Sequence, residues 1–360
     1  MKIVHVFKDF YPPLAAGITC YIADVADALA ERGHEVEVHV AGVHQSRVER
    51  MASGVVVHRH RELGRALSMP IAPGLIREVR HLSADIVHTH MPNPIGEIGV
   101  FLNSSPLVCT FHAQLVRQRF LEPLYGRLRS RLFDQMAAIL VSGEAMASTP
   151  ELANHVGKVR VLPFGVSPRL VGSGAVHQHY TGPIRLLFVG RLVYYKGLDT
   201  LLRAMAMVPN ATLRIVGDGP DRAALEALSA QLGLADRVEF SGFLYDRELA
   251  LSYGAADVFV LPSNSKAESF GMAMSEAMAN GLPAVSTSLG TGTDWVNLDE
   301  VTGLVVPPDS PPDLATAIGR LQDPELREAL GIAASQRAHD LFSFDKHVDE
   351  LVSVYQRCRQ

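Results

Sequence analysis

The sequence predicts an α/β protein built as two doubly wound units, each a parallel sheet covered by helices on both faces. Three observations carry this. Apolar runs of strand length alternate with helical stretches through both halves of the chain. At 360 residues the chain is long for a single core, so two domains are expected. A turn-rich stretch without periodicity, PFGVSPRLVGSGAVHQHYTGP at 163–183, separates the two runs of alternation.

In the first half, residues 1–165, the strand candidates are Ile3–Phe7, Val36–Val40, Val55–His58, Ile86–Thr89, Leu107–Phe111, Ala138–Val141 and Val159–Leu162. Helical stretches fall between them at Thr19–Arg32, Pro73–His81, Pro94–Asn103, Arg117–Gln135 and Ala145–His155. Arg32-Gly33-His34 supplies a stop: a cation in the last turn, then a glycine for the left-handed position. Residues 166–183 are expected to be the linker. Alternation resumes from 184 with strands at Arg185–Val189, Thr212–Val216, Arg237–Ser241, Val258–Leu261 and Ala284–Thr287, and the chain from Pro311 reads as helix to its end. Ligands of such sheets bind beyond the carboxyl ends of the strands, so a cleft between the two units is the expected site.

A hydrophobic content of 48% with 20% charged residues is that of a soluble globular protein. Cys20, Cys109 and Cys358 are far apart and odd in number, which gives neither a zinc spacing nor a disulfide framework and points to a reducing cytoplasm. The opening MKIVHVF runs straight into a strand without a signal-peptide h-region, and no run of about 18 apolar residues is present to span a membrane. Residues 1–165 carry 17 Lys+Arg against 15 Asp+Glu, and the remainder 16 against 23; the net charge of −5 disfavours nucleic acid as a partner.

The most informative stretch is AESFGMAMSEAMANGLP, where Glu268 and Glu276 stand eight positions apart. Ser269 is expected to cap a helix, leaving the N–H groups of Phe270, Gly271 and Met272 at its positive end. Such an end takes an anion, and the missing side chain of Gly271 lets a phosphate approach the backbone. A carboxylate on either side then suits a diphosphate flanked by hydroxyls, as in a nucleotide-sugar. The plain alternative is two solvated carboxylates favouring a helix dipole, although the segment is otherwise apolar and small.

In GRLVYYKGLDTLLRAM, Gly190 and Arg191 close a strand and Lys196 opens the next helix. Two cations there can neutralise a diphosphate leaving group without a metal. Each contact at about 4 Å is worth about 4 kcal/mol at an effective dielectric near 20, before desolvation; a helix end adds roughly 0.3–2 kcal/mol. The alternative is a pair of surface charges. In IVGDGPD, Gly217 and Gly219 form part of a dinucleotide fingerprint, but Arg222 holds the third glycine position, and a tight strand-to-helix turn explains the pair without a ligand. FSGFL ends another strand at the same sheet edge, where the backbone at Phe243 and Leu244 is placed to pair with a base.

In the first half, Ala16-Gly17 opens a helix after strand one. His88 and His90 lie two apart on one strand face, with no third ligand evident for a metal, and His112 ends another strand. The segment 117–133, with Arg117, Arg119, Arg127, Arg129 and Arg131 among Phe and Leu, suits either an anionic membrane surface or a solvated helix whose apolar residues face the core.

Taken together these pieces resemble a retaining glycosyltransferase of family 4, in the two-domain GT-B class. GRLVYYKG and the E-x7-E block are the specific matches, with YPPLAAGI, ADIVHTHMP, VCTFHAQ, VRVLPFGV and TGLVVPP in the expected order. The resemblance implies that Glu276 binds the ribose and Glu268 the donor sugar. It implies that Arg191 and Lys196 hold the diphosphate with Gly17 and the Phe270–Met272 backbone, that Gly190, Gly217 and Ser269 belong to the donor site, and that His112 sits beside the reacting sugar. It also implies that residues 341–360 return to the first domain from a donor domain at 184–340. The chain departs from the family where the first loop reads Ala16-Gly17 rather than Gly-Gly, and where GTGTDWVNLDEVTG leaves Thr293 and Asp294 without a role. Trp295, the single tryptophan, is assigned to core packing.

The expected reaction is transfer of a hexose, mannose as a guess, from a GDP- or UDP-sugar to a hydroxyl of a glycan or lipid-linked acceptor, in cell-surface polysaccharide, lipopolysaccharide or glycolipid synthesis. The resemblance implies that the anomeric configuration is kept; no protein nucleophile stands out for a double displacement, so same-face attack is the expected route, with no metal cofactor. The place of action is expected to be the cytoplasm or the inner face of the plasma membrane. The alternative is a nucleotide-sugar 2-epimerase on a similar frame, which alters the sugar without an acceptor. A nicotinamide dehydrogenase is disfavoured by the broken glycine pattern, and a non-catalytic binding module would bind nucleotide without turnover.

Overall fold

The computed structural model describes all residues except 12–16, 67–68, 113–121, 173–181 and 360. It divides into two units, Met1–Pro163 with Asp345–Gln360, and Phe164–Phe344.

The first unit contains β1 (Lys2–Val6), α1 (Gly17–Glu31), β2 (Glu35–Val43), β3 (Arg47–Arg50), β4 (Val56–Arg61), the short β5 (Arg65–Ala66) and β6 (Met69–Pro70), α2 (Pro73–His81), β7 (Ile86–Met91), α3 (Pro94–Phe101), β8 (Leu107–Phe111), α4 (Glu122–Gln135), β9 (Ala138–Val141), α5 (Glu144–Ala147) and β10 (Val159–Val161). Its eight-stranded sheet has the order β10-β9-β8-β7-β1-β2-β4-β3. All neighbours are parallel except β3, which returns antiparallel along β4. Every residue of β7 is buried, as a central parallel strand covered on both faces requires.

The second unit contains β11 (Ile184–Val189), α6 (Leu198–Met207), β12 (Ala211–Val216), α7 (Arg222–Gln231), β13 (Val238–Gly242), α8 (Asp246–Ala255), β14 (Val258–Leu261), α9 (Met272–Ala279), β15 (Ala284–Thr287), α10 (Gly292–Val296), β16 (Gly303–Val306), α11 (Pro311–Arg320) and α12 (Pro324–Leu341). Its six strands are all parallel, in the order β13-β12-β11-β14-β15-β16. The order reverses between β11 and β14, so the loops after these two strands diverge there and leave a crevice at the sheet's carboxyl edge. A final helix, α13 (Phe344–Arg359), belongs from Asp345 onward to the first unit. There the Tyr21 hydroxyl meets His347 Nε2 at 2.8 Å and Arg32 bridges Asp345 and Asp349.

Several expectations are corrected. Strands β3, β5, β6 and β16 are present beyond those the sequence predicts. The helix expected at Ala145–His155 is broken: α5 stops at Ala147, and Pro150, which lacks an N–H, opens a separate 3-10 segment, Pro150–Lys158. The linker expected at 166–183 is structured at its start. Val166 N–H bonds Phe342 O at 2.8 Å, Pro168–Leu170 forms a 3-10 turn, and Gly172 N–H bonds Asn280 Oδ1 at 2.8 Å, all within the second unit.

Candidate functional site

The carboxyl edge of the second sheet is knitted by close backbone approaches that demand glycine. A Cβ on Gly217 would lie 2.0 Å from Gly190 O, and one on Gly219 would lie 2.2 Å from Leu192 O. These glycines are therefore accounted for by the packing of the β12 loop on the β11 loop, and the turn explanation of the GDG pair holds. Gly197, at φ +65°, similarly presses on Pro262, whose carbonyl oxygen would be 2.0 Å from a Cβ. That contact joins the loop after β11 to the loop after β14, at the crevice where the strand order reverses.

At this junction Lys196 Nζ donates to Glu268 Oε2. Both side chains are nearly enclosed, 12% and 10% exposed. Burial works against the ammonium, but the adjacent Glu268 and Tyr195 outweigh it and raise its pKa. Ser263 Oγ donates to the same carboxylate oxygen at 3.0 Å. Gly190 packs beside this pair: a Cβ there would lie 3.2 Å from the Phe188 ring and 3.5 Å from Lys196 Nζ. Arg191, next in the chain, is exposed and its guanidinium has no hydrogen-bond or ion-pair partner among the described residues.

The helix carrying Glu276 begins later than the sequence suggests. Gly271, not Ser269, is the N-cap of α9; it adopts the left-handed conformation, φ 80° and ψ 54°, and no side chain caps the helix. The left-handed turn needs glycine, whereas Ser269 lies outside it, its carbonyl accepting from Gly292 N–H at 2.9 Å. Phe270 is a core residue against Phe164, Phe342 and Trp295. Met272 and Ala273 open α9, and their N–H groups have no intrahelical acceptor. Glu276, one turn further, accepts from the Tyr253 hydroxyl at 2.6 Å; burial raises its pKa, against that hydrogen bond.

Asp294 has a structural role. Its carboxylate accepts from Leu289 N–H and Gly290 N–H at 3.1 and 3.0 Å, holding the loop that packs on Ser269. Thr293 is buried beside it. Trp295 meets Phe342 edge to face and carries the Arg337 guanidinium 5.2 Å from its ring. At the β13 end Phe243 is exposed and Leu244 half-buried.

In the first unit, Gly17 is exposed at the start of α1, and Ala16 lies outside the described residues. His112, at the end of β8, is buried, and burial with the charge of Lys8 lowers its pKa to about 3. Its Nε2 meets His90 Nδ1 at 3.0 Å, and His90 Nε2 meets His5 Nδ1 at 3.0 Å. A third imidazole does therefore join His88 and His90, contrary to the sequence reading. Yet His88 uses both ring nitrogens, on the Tyr355 hydroxyl at 2.6 Å and Thr110 Oγ1 at 2.7 Å. Among His5, His88 and His90 every ring nitrogen except His5 Nε2 is already hydrogen-bonded, so the cluster is a hydrogen-bonded network.

Of the arginine-rich segment 117–133, residues 117–121 lie outside the described part. Arg127 and Arg131 are exposed on α4, while Arg129 is buried over the Tyr125 ring and Leu132 and Phe133 enter the core. No helix among the described residues is long and apolar enough to cross a membrane.

Three further residues join the site: Tyr195 and Ser263 from the same loops as Lys196 and Glu268, and Tyr253 from α8, brought to Glu276 by tertiary contact without a local sequence signal.

Comparison with known proteins adds the following. Residues 15–170 match the family described as Glycosyltransferase Family 4, and residues 174–337 match Glycosyl transferases group 1. The chain is 31% identical to D-rhamnosyltransferase WbpZ of Pseudomonas aeruginosa, over 95% of this chain and 92% of that protein. It is 29% identical to O-antigen chain mannosyltransferase C of Escherichia coli, over 99% and 98%. Its fold matches that of sucrose-phosphate synthase from Thermosynechococcus elongatus with a TM-score of 0.84 at 23% identity, covering 99% of this chain and 98% of that one.

Proposed function

Since the chain belongs to the group 1 and family 4 glycosyltransferases and has their GT-B fold, we propose that it moves a hexose from a nucleoside diphosphate sugar to a hydroxyl of a glycan or lipid-linked acceptor, with the anomeric configuration kept. The observation that carries this is the junction of Lys196, Glu268 and Gly190 where the second sheet's strand order reverses.

In this reading Lys196 and Arg191 take the departing diphosphate, with the Gly271–Ala273 backbone as a dipolar partner. Charge grows on the leaving group as the sugar becomes cation-like, so fixed cations there lower the barrier without a metal. Glu268 accepts donor-sugar hydroxyls and Glu276, oriented by Tyr253, accepts those of the ribose. His112, neutral at physiological pH, serves as a hydrogen-bonding partner of the sugar, and a leaving-group oxygen takes the acceptor's proton. Mannose or a related deoxyhexose as the sugar, and a cell-surface polysaccharide as the product, draw support from the names of the relatives.

The test is a panel of GDP- and UDP-sugars screened for a rise in unfolding temperature, followed by NMR of the anomeric proton of the product. A GDP- or UDP-hexose is expected to stabilise the chain and to be transferred with retention. Conversion of the sugar without any acceptor would replace this reading with the epimerase, and an inverted product would remove same-face attack.

A further inference from the structure

A second convergence of ligand atoms lies in the first unit, on one face of β2 and β4. The strands run parallel with His39 opposite His58. Alternation places Glu37 with His39, and His58 with His60, on the same face. Glu37 Oε2 lies 3.4 Å from His39 Nε2 and 3.9 Å from His58 Nε2, and all three ligand atoms fall within 4.8 Å of one another. Tetrahedral zinc with bonds of about 2.0–2.2 Å keeps its ligand atoms roughly 3.3–3.6 Å apart. The cluster is therefore close to the span that one ion requires.

The surroundings suit an ion. Lys2 Nζ holds the other carboxylate oxygen of Glu37 at 2.8 Å, which leaves Oε2 to act as a monodentate ligand. His39 Nδ1 meets His60 Nε2 at 3.2 Å, so the inner ring is steered through its far nitrogen, as metal-bound imidazoles are. Glu78 of α2 adds a further negative charge facing His58. His39 is only 5% exposed, whereas Glu37 at 18% and His58 at 28% open the cluster to solvent. The rings of His39 and His58 are stacked, with centroids 4.3 Å apart and planes 9° from parallel. Parallel rings cannot aim in-plane lone pairs at one point, so binding must tilt the more exposed ring, His58, about its broad terminal torsion.

We propose that Glu37, His39 and His58 form a site for one divalent transition-metal ion of the zinc class, with solvent in the fourth position and His60 as the outer partner of His39. Two imidazoles with one carboxylate favour zinc, cobalt or nickel over magnesium or calcium. The ion clamps β2 to β4 and takes no part in sugar transfer.

The test uses the untagged full chain, stripped of metal. Calorimetric titration with Zn2+ is expected to show one ion per chain, Co2+ to give visible absorption bands of an imidazole site, and zinc to raise the unfolding temperature. Glu37→Gln and His58→Ala should each weaken zinc by more than about a hundred-fold, since outer-partner losses alone cost about 10–100-fold. If circular dichroism shows His58→Ala unfolded, Glu37→Gln decides. Absence of binding by the unaltered chain, or undiminished affinity in the folded variants, would overturn the site.

Discussion

Lys196 and Glu268, 72 residues apart in the chain, are bound to each other at the point where the second sheet reverses its strand order. The cation proposed to take the donor's diphosphate and the carboxylate proposed to take its sugar therefore begin as one ion pair. A donor that engages both must loosen this pair and replace each partner. Within the pair, the Glu268 carboxylate raises the pKa of Lys196 against burial, in a nearly enclosed place.

Removing one partner should be costly for that reason. Lys196→Met or Glu268→Gln is expected to destabilise the second unit by about 3 kcal/mol, as broken buried pairs do. The double variant should lose less than the sum of the two, while remaining inactive. Urea unfolding of the four proteins measures the coupling, and strict additivity would show that the pair is not a unit.

Arg191 should behave differently. It is exposed and without an ion-pair partner among the described residues, so Arg191→Ala is expected to leave the unfolding temperature unchanged. Turnover should fall about a hundred- to a thousand-fold, as for loss of one transition-state charge partner. Steady-state kinetics beside a thermal melt checks both halves; unaltered turnover removes Arg191 from the mechanism.

His112 should not titrate in the physiological range. Its lowered pKa, about 3, means that the folded protein holds it neutral through pH 5–8. Its ring Cε1–H NMR signal is expected to stay constant across that range, and a midpoint near 6.5 would contradict the buried network with His90.

Glu97 on α3 sets a pH dependence in the first unit. Burial raises its pKa from 4.5 to about 7, against hydrogen bonds from Asn93 N–H at 2.6 Å and the Tyr125 hydroxyl at 3.0 Å. Between these values the folded state keeps a proton that the unfolded state releases, so this contribution to stability is full below pH 4.5 and is lost as pH rises through 7. Glu97→Gln should remove that fall, gaining stability relative to the unaltered chain as pH rises from 5 to 8. Parallel denaturation curves at both pH values would contradict it.

Much of the fold was legible because parallel strands buried on both faces are continuous apolar runs. β8, β9, β14 and β15 were read with the bounds they have. The polar edge strand β3, RVER, carries no such signal and is defined by pairing with β4. The E-x7-E block is visible in the sequence, but its helix starts two residues later than serine capping preference predicts, because the left-handed turn at Gly271 sets the start. What the sequence could not reveal is pairing across distance: Lys196 with Glu268, Tyr253 with Glu276, and His5 with His90 are joined by sheet order alone.

The most direct measurement is calorimetric binding of a nucleoside diphosphate and of its hexose conjugate to the unaltered chain, Lys196→Met and Glu268→Gln, each first shown to be folded. Lys196→Met is expected to weaken both ligands by at least about ten-fold, and Glu268→Gln to weaken the sugar conjugate while sparing the bare diphosphate. Wild-type affinity for both ligands in both variants would contradict the assignment of this junction to the donor.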